Sequence, residues 1–200
     1  HPGMPEGSEA GILKGLYLLQ EGGATSGKAS GKNALRVQLM GSGTILREVM
    51  AAAELLKEYD VTADVWSATS FNELRRDGMA TERWNLLHPA EPRRQSFVET
   101  SLQVHDGPVV AATDYMRSFP DQIREYVGNA GRRYVVLGTD GFGRSDYRVK
   151  LRSFFEVNRY YVTVAALKAL ADDGKIKHAR VAEAIAKFGL DAELPPPWTV

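Results

Sequence analysis

The sequence lacks cysteine, an excess of charge of either sign and a long apolar run. Without cysteine the chain has no disulfide, thiolate nucleophile or thiolate metal site. Its 25 acidic and 25 basic side chains cancel, which favours neither nucleic acid nor an anionic membrane as a partner. No apolar run approaches the roughly 20 residues that span a bilayer, and the first residues lack the layout of a signal peptide. The composition therefore predicts a cytoplasmic protein with no nucleic-acid or membrane partner.

The remaining composition is that of a globular chain, 44% hydrophobic over 200 residues, and suits one domain over residues 1–200. Short apolar runs typical of strands alternate with stretches of helical periodicity. Strands are predicted at residues 16–19, 35–40, 61–66, 109–112 and 134–137. This alternation predicts an α/β three-layer sandwich with a mostly parallel sheet and helices on both faces, in which the short first strand can pair antiparallel at an edge.

The helices are predicted from apolar stripes and end signals. One stripe consists of Ile45, Val49, Ala52, Leu56 and Tyr59. Residues 70–87 are predicted to be helical with a break near Gly78, residues 96–104 form a short helix, and Pro120 suits a first helical turn. Two helices end the fold, the first capped by Asn158 and the second carrying Val181, Ile185 and Phe188. The stripe of the first is predicted to be Tyr160, Val164, Leu167 and Ala171.

Three segments are predicted to lie outside the regular layers. Ser8 can open a short first helix by accepting a backbone N–H. Residues 21–33 (EGGATSGKASGKN) are small and polar, and are predicted to form a flexible surface loop. Residues 194–200 are predicted to be extended because they contain three consecutive prolines.

Gly41-Ser42-Gly43 follows a strand and precedes a helix, which is where phosphates bind in dinucleotide folds. The dinucleotide pattern needs a third glycine where this chain has Leu46. An acidic residue, Asp64, follows about 20 residues later, as the dinucleotide pattern requires, but it falls within a strand. A structural turn is the favoured interpretation, and nucleotide binding is the alternative.

Residues 138–146 (GTDGFGRSD) form the most unusual segment. Their glycines permit a tight path at the end of a strand, where α/β sheets place ligands. The candidate contact residues are Asp140, Phe142, Arg144 and Asp146. A subunit or partner contact, with Phe142 as apolar anchor and Arg144 forming a charge pair, is favoured over a ligand site. Residues 114–117 follow another strand. They could line a cleft, or they could cap a helix and pack in the core, and the sequence favours neither role.

No catalytic constellation emerges from the remaining residues. The histidines are isolated and lack metal-ligand spacing, with His88 interpreted as a turn residue and His105 as a solvated one. No G-x-S-x-G elbow is present, which disfavours a stand-alone hydrolase. A nucleophile or base, an orienting partner and a charge stabiliser are not found together.

Several blocks nevertheless resemble one family, the homodimeric bacterial pyruvate dehydrogenase decarboxylating subunits. They run through most of the chain in order, at residues 4–7, 39–47, 70–78, 82–85, 112–116, 138–146 and 182–188. The region around Phe142 is also similar to the C-terminal domain of transketolases. The chain departs from the pattern at residues 21–33, which form a longer loop than this family suggests.

The resemblance implies a role for the chain. A complete subunit of this kind decarboxylates pyruvate, the step from glycolysis to acetyl-CoA, with thiamine diphosphate and magnesium, and then reductively acetylates a lipoyl group of dihydrolipoyl acetyltransferase. In this family the cofactor lies between the two preceding domains at the dimer interface. The resemblance therefore implies no catalytic, cofactor-binding or metal-binding residue in this chain, and we expect it alone to be inactive.

The same resemblance implies how the chain fits into a larger protein. Residues 1–7, which begin with His1 rather than methionine, would be an interdomain connection. The expected partners are the remaining domains of the subunit, a second copy of that subunit, and dihydrolipoyl acetyltransferase. The alternative function is a small nucleotide- or metabolite-binding regulatory domain that uses residues 41–44 or 138–146.

Overall fold

The computed structural model describes residues 2–23, 35–128 and 131–200. The strands are β1 (Leu16–Gln20), β2 (Leu35–Gly41), β3 (Val61–Ala68), β4 (Val109–Ala112) and β5 (Tyr134–Leu137). The α-helices are α1 (Glu9–Lys14), α2 (Leu46–Leu56), α3 (Phe71–Leu87), α4 (Phe97–Leu102), α5 (Ser118–Asp121), α6 (Arg124–Gly128), α7 (Arg148–Phe154), α8 (Arg159–Asp172) and α9 (His178–Lys187). Short 3-10 helices lie at Gly43–Ile45, Lys57–Tyr59 and Pro197–Thr199.

The strands form one sheet in the order β1-β3-β2-β4-β5. Strands β2 to β5 run parallel to one another, and β1 pairs antiparallel with β3, with Leu16 opposite Ala68. Strand β2 leads through α2 to β3 on one side, and the chain then crosses back to β4 on the other side of β2. The predicted α/β sandwich, mostly parallel with an antiparallel edge strand, is confirmed.

Alternate strand residues point to the two faces of the sheet, and each face has its own apolar core. On one face Val37, Leu39 and Val65 pack with α2, α8 and α9. On the other face Met40, Trp66 and Val136 pack with α3, α4 and α6. These two cores give the three layers that the sequence pattern predicts.

The predicted stripe of α2 is confirmed, because all its members from Ile45 to Tyr59 are buried in the first core. The predicted stripe of α8 is confirmed only in part. Leu167 and Ala171 are buried, whereas Tyr160 is exposed. Val162, Ala166 and Leu170 are buried as well. Helix α8 packs against both α2 and α9 and so buries more than one stripe. Asn158 does cap it, accepting N–H bonds from Tyr160 and Tyr161 at 3.0 and 3.2 Å.

Helix α3 runs unbroken through Gly78, where the sequence predicted a break. The glycine is needed for packing rather than for a turn. A Cβ at this position would lie 2.2 Å from Cε2 of Tyr126, whose ring sits directly against the helix backbone. The close approach of α3 to α6 therefore explains the residue that looked like a helix breaker.

Three further segments differ from the predictions. Ser8 does not cap α1; its Oγ donates to the carbonyl of Pro5 at 2.5 Å. Helix α7 was not predicted, because only the glycine-rich run before it was recognised. Residues 197–199 form a 3-10 turn, since a proline is tolerated at its first position. Of the predicted flexible loop, residues 24–33 lie outside the described residues.

Candidate functional site

The carboxyl ends of β2 and β4 meet at the point where the chain connections diverge to opposite sides of the sheet. In open α/β sheets this switch point is where ligands and contacts concentrate. A cleft of about 630 Å³ opens there, lined by Ser42, Thr113, Asp114 and Tyr115 together with the start of α3. Asp114 and Tyr115 thus line a cleft, one of the two roles considered for that segment. Pro2, near the start of the chain, borders the same cleft.

The Gly41-Ser42-Gly43 turn is explained by packing and by an internal carboxylate. A Cβ on Gly41 would lie 2.7 Å from Cα of Leu46, so the strand and α2 approach closely here. The carboxylate of Asp114 accepts a hydrogen bond from Thr44 Oγ1 at 2.8 Å, and a Cβ on Gly43 would lie 3.2 Å from its Oδ1. A carboxylate of the chain itself therefore lies at the turn where a phosphate would bind. The geometry favours the structural interpretation.

The four candidate contact residues lie on the loop that follows β5. Asp140 Oδ1 accepts the backbone N–H of Arg117 at 3.0 Å, which ties the loop to the segment after β4. Asp146 Oδ1 accepts the N–H of Tyr147 at 2.7 Å. The guanidinium of Arg144 stands 5.3 Å from the ring centre of Phe154. Phe142 projects from the loop with 84% of its surface exposed.

The exposed region extends beyond the predicted loop into α7. All residues from 141 to 150 are exposed, and we call this stretch the 141–150 surface. Its apolar members are Phe142, Tyr147 and Val149, the latter two 62% and 71% exposed. Helix α7 buries none of its residues, although short helices are normally stabilised by packing. Exposed apolar side chains grouped in this way are typical of interaction surfaces.

The buried carboxylate of Glu48 holds α7 and α8 against α2. It accepts bonds from Arg152 Nη1 at 2.9 Å and from the backbone and Nε of Arg159 at 3.0 and 2.9 Å. Burial alone would raise the pKa of Glu48. The bonds and positive charge of Arg159 and Arg152 outweigh that effect and lower the pKa below its usual 4.5. This anchor fixes the far end of α7.

A second buried carboxylate, Asp64 on β3, joins β3 to β2 and to the residues that follow β1. It accepts bonds from Gln38 Nε2 at 2.7 Å, Arg36 Nη1 at 2.5 Å and the Gly22 N–H at 2.9 Å. Burial opposes ionisation, but the bonds from Gln38, Arg36 and Gly22 prevail and lower the pKa of Asp64 below its usual 3.8. The role of Asp64 is structural, and it lies away from the Gly41–Gly43 turn.

His105 belongs to the same buried network. Its Nδ1 lies 3.2 Å from Asp64 Oδ2, and its ring meets Trp66 edge to face at a centroid distance of 5.0 Å. The prediction that His105 is solvated is therefore wrong: its neighbour Asp106 suggested the surface, but the ring turns inward. His88 stacks on Trp84 at 4.3 Å where α3 ends, consistent with a turn residue.

Within the described ranges, no three His, Cys, Asp or Glu residues lie close enough together to hold a metal ion. In the same ranges, no helix is both long enough and apolar enough to cross a membrane. The carboxylates at the cleft and in the loop are engaged by backbone N–H groups or by a hydroxyl. We assign no step on a magnesium–diphosphate group to these residues.

A protein-family model, the transketolase-like TK C-terminal domain, matches residues 15–158. The chain belongs to this family. The match covers β1 to β5 and ends at Asn158, so α8, α9 and the C-terminal residues of this transketolase-like domain lie beyond it. Helix α8 nevertheless contributes to the first core.

Curated relatives match this transketolase-like domain over nearly its full length. The pyruvate dehydrogenase E1 component of Cupriavidus necator is 57% identical over 201 residues, covering 100% of this chain and 22% of that protein. The Pseudomonas aeruginosa protein of the same name is 57% identical over 193 residues, covering 96% of this chain and 21% of its own length. The Escherichia coli K12 protein is 52% identical over 193 residues, covering 96% and 20%. The chain spans about a fifth of the curated relatives it matches.

Solved structures show the same fold at low sequence identity. A split-gene transketolase, described as an inactive beta4 tetramer, superposes with a TM-score of 0.55 at 16% identity, covering 79% of this chain and 43% of that one. The transketolase of Campylobacter jejuni superposes at 0.50 and 16% identity, covering 78% and 19%. These likenesses show the fold of a transketolase C-terminal domain. The comparisons give no support to the regulatory nucleotide-binding alternative.

Proposed function

We propose that the chain is the C-terminal scaffold and interaction domain of a pyruvate dehydrogenase E1-type subunit. The full subunit decarboxylates pyruvate with thiamine diphosphate and magnesium, and reductively acetylates lipoyl groups of dihydrolipoyl acetyltransferase. That cofactor supplies the decarboxylation chemistry in the preceding domains. Residues 1–7 connect this domain to them, and the protein acts in the cytoplasm as a homodimer.

The observation that carries this proposal is the 141–150 surface. Phe142 is its apolar anchor, and Tyr147 and Val149 enlarge the apolar area. Arg144, Arg148 and Lys150 add positive charge, and Asp146 is the acidic residue among them. An apolar centre with charged neighbours is the usual composition of a specific protein interface. Its partner is the rest of the same subunit, together with the second copy of that subunit.

The absence of chemistry in this domain is tested directly by assaying the purified chain with pyruvate, thiamine diphosphate and magnesium. We expect no decarboxylation above a blank without protein. The control is an intact E1-type subunit assayed in parallel. Turnover by the homogeneous chain, together with bound thiamine diphosphate, would refute a scaffold role.

Direct contact with the acetyltransferase is tested separately. The chain is titrated calorimetrically with the subunit-binding domain of the matching dihydrolipoyl acetyltransferase. Saturable binding near one-to-one makes this domain a docking module, with Phe142 and Arg144 the first residues to substitute. No heat from a folded chain assigns docking to other parts of the subunit and leaves this domain its scaffold role.

A further inference from the structure

The C-terminal residues pack against the predicted contact loop. Gly141 has φ +102°, and a Cβ there would lie 2.8 Å from the carbonyl oxygen of Pro197 and 2.9 Å from Cα of Trp198. The backbones of the two segments are therefore in direct contact. Pro197 is buried, although its neighbours on both sides are exposed. Gly141 is therefore the point at which the loop and the C-terminal tail meet.

A third segment completes this packing. The guanidinium of Arg117, after β4, lies 5.8 Å from the ring centre of Trp198, within the range of a cation–π contact. The backbone N–H of the same residue donates to Asp140 Oδ1 at 3.0 Å. Arg117 therefore contacts the tail with its side chain and the loop with its backbone.

The tail has a defined conformation at this point. Thr199 donates to the Pro196 carbonyl from its backbone N–H at 2.9 Å and from Oγ1 at 2.8 Å, which closes the Pro197–Thr199 turn. The prolines restrict the unfolded chain, so little conformational entropy is lost when the tail folds back. Residues 194–200 are thus suited to act as a rigid brace.

The loop, by contrast, has few supports of its own. The Thr139 N–H donates to the Tyr115 carbonyl at 2.9 Å, and Arg152 holds the far end of α7 through Glu48. Between these two anchors the 141–150 surface is exposed throughout and contains two glycines. Glycine-rich exposed chain loses much conformational entropy when it is ordered. The tail contact at Gly141 lies within this weakly supported span.

We propose that residues 194–200 form a strap that holds the loop of residues 138–146 in the conformation that presents Phe142. This inference rests on the proposed function, because it concerns the regulation of the same contact surface. When the strap is in place, the loop is ordered before the partner arrives. When it is released, the partner has to order the loop on binding, which weakens the complex.

The test measures amide hydrogen exchange of the loop in the intact chain and in Trp198→Ala. We expect the amides of residues 140–147 to exchange at least about 10-fold faster in the variant, while those of β2, β3 and β4 are unchanged. Trp84→Ala is the matched control, because Trp84 also lies under an arginine, with Arg94 3.5 Å from its ring centre, on a different part of the surface. Unchanged loop exchange in Trp198→Ala would overturn the strap.

A second variant approaches the same contact from the loop. Gly141→Ala places a Cβ against Pro197 at a positive φ, so we expect faster exchange both in the loop and at residues 198–199. Faster exchange in the loop alone would contradict the strap. The proposed function is tested independently by Phe142→Ala. Normal partner binding in that variant, with loop exchange still dependent on Trp198, would refute the contact function and leave the strap as an intramolecular brace.

Discussion

Arg159 binds Glu48 with its side chain and its backbone at once: Nε lies 2.9 Å and the backbone N 3.0 Å from Glu48 Oε2. Arg152 Nη1 donates to the other carboxylate oxygen, Glu48 Oε1, at 2.9 Å. Two arginines from different helices thus converge on one buried carboxylate of α2. Through this carboxylate the segment that carries the exposed surface is attached to the core.

Removal of that carboxylate is expected to destabilise the domain strongly. Glu48→Ala leaves the partly buried guanidinium of Arg152 and the N–H of Arg159 without their acceptor, and we expect a loss of about 3 kcal/mol in the free energy of unfolding. Urea unfolding measures it. Glu54→Ala is the control on the same helix, because Glu54 pairs with Lys57 at the surface and should cost at most about 0.5 kcal/mol. Equal losses in the two variants would contradict the assigned role.

The pH dependence of stability is expected to carry the signature of Asp64. Its pKa in the folded chain is below the usual 3.8, so its contribution is fully present above that value and is lost as the pH falls through the folded-state pKa. Asp64→Asn should therefore be less stable than the parent at neutral pH and lose less stability than the parent as the pH falls below about 4. Thermal unfolding across that range measures it. Asp60→Asn, at an 80% exposed side chain, should follow the parent curve.

Gly78 is expected to resist substitution even though alanine is the better helix former. Gly78→Ala gains about 1 kcal/mol in helix propensity but forces the buried Tyr126 ring away, and we expect a net loss of about 1–3 kcal/mol. Chemical unfolding gives the value. Met79→Ala, at an exposed neighbouring position, should change stability by less than about 0.5 kcal/mol. A stabilised Gly78→Ala would show that the ring moves freely.

Phe142 is expected to matter for binding and not for folding. Because its side chain is 84% exposed, Phe142→Ala should leave the free energy of unfolding within about 0.5 kcal/mol of the parent. Loss of a central aromatic anchor should weaken partner binding by at least about 10-fold. Leu13→Ala serves as the control, because Leu13 is an 81% exposed apolar side chain distant in sequence from Phe142. A folding defect in Phe142→Ala alone would indicate an internal role instead.

The sequence predicts the layers well because short apolar runs mark strands buried on both faces and the α2 stripe marks the buried side of that helix. Gly78 was misinterpreted because helix propensity carries no information about the Tyr126 ring, which belongs to another helix. Asp64 offered a signal that was passed over: an acidic residue inside an apolar strand has to be paired, here with Arg36 and Gln38. Contacts of this kind join distant segments, so local patterns do not show them.

The candidate site was predicted only in part. The loop with Phe142 was singled out from its glycines and its place after a strand, and Phe142 is exposed, while its contact role stays a prediction. Helix α7 was missed because its first three residues are exposed and its apolar pair, Leu151 and Phe154, is only partly buried. The contact of Trp198 with the loop was missed because a proline-rich tail gives no sign of where it folds back.

The most direct test of the account is a calorimetric titration of the chain with a polypeptide that carries the rest of a matching E1-type subunit. Saturable binding near one-to-one, weakened at least about 10-fold by Phe142→Ala and unchanged by Leu13→Ala, is the predicted result. The absence of heat from two partners each shown to be folded, or equal binding by Phe142→Ala and the parent, would contradict the claim that this domain acts through its 141–150 surface.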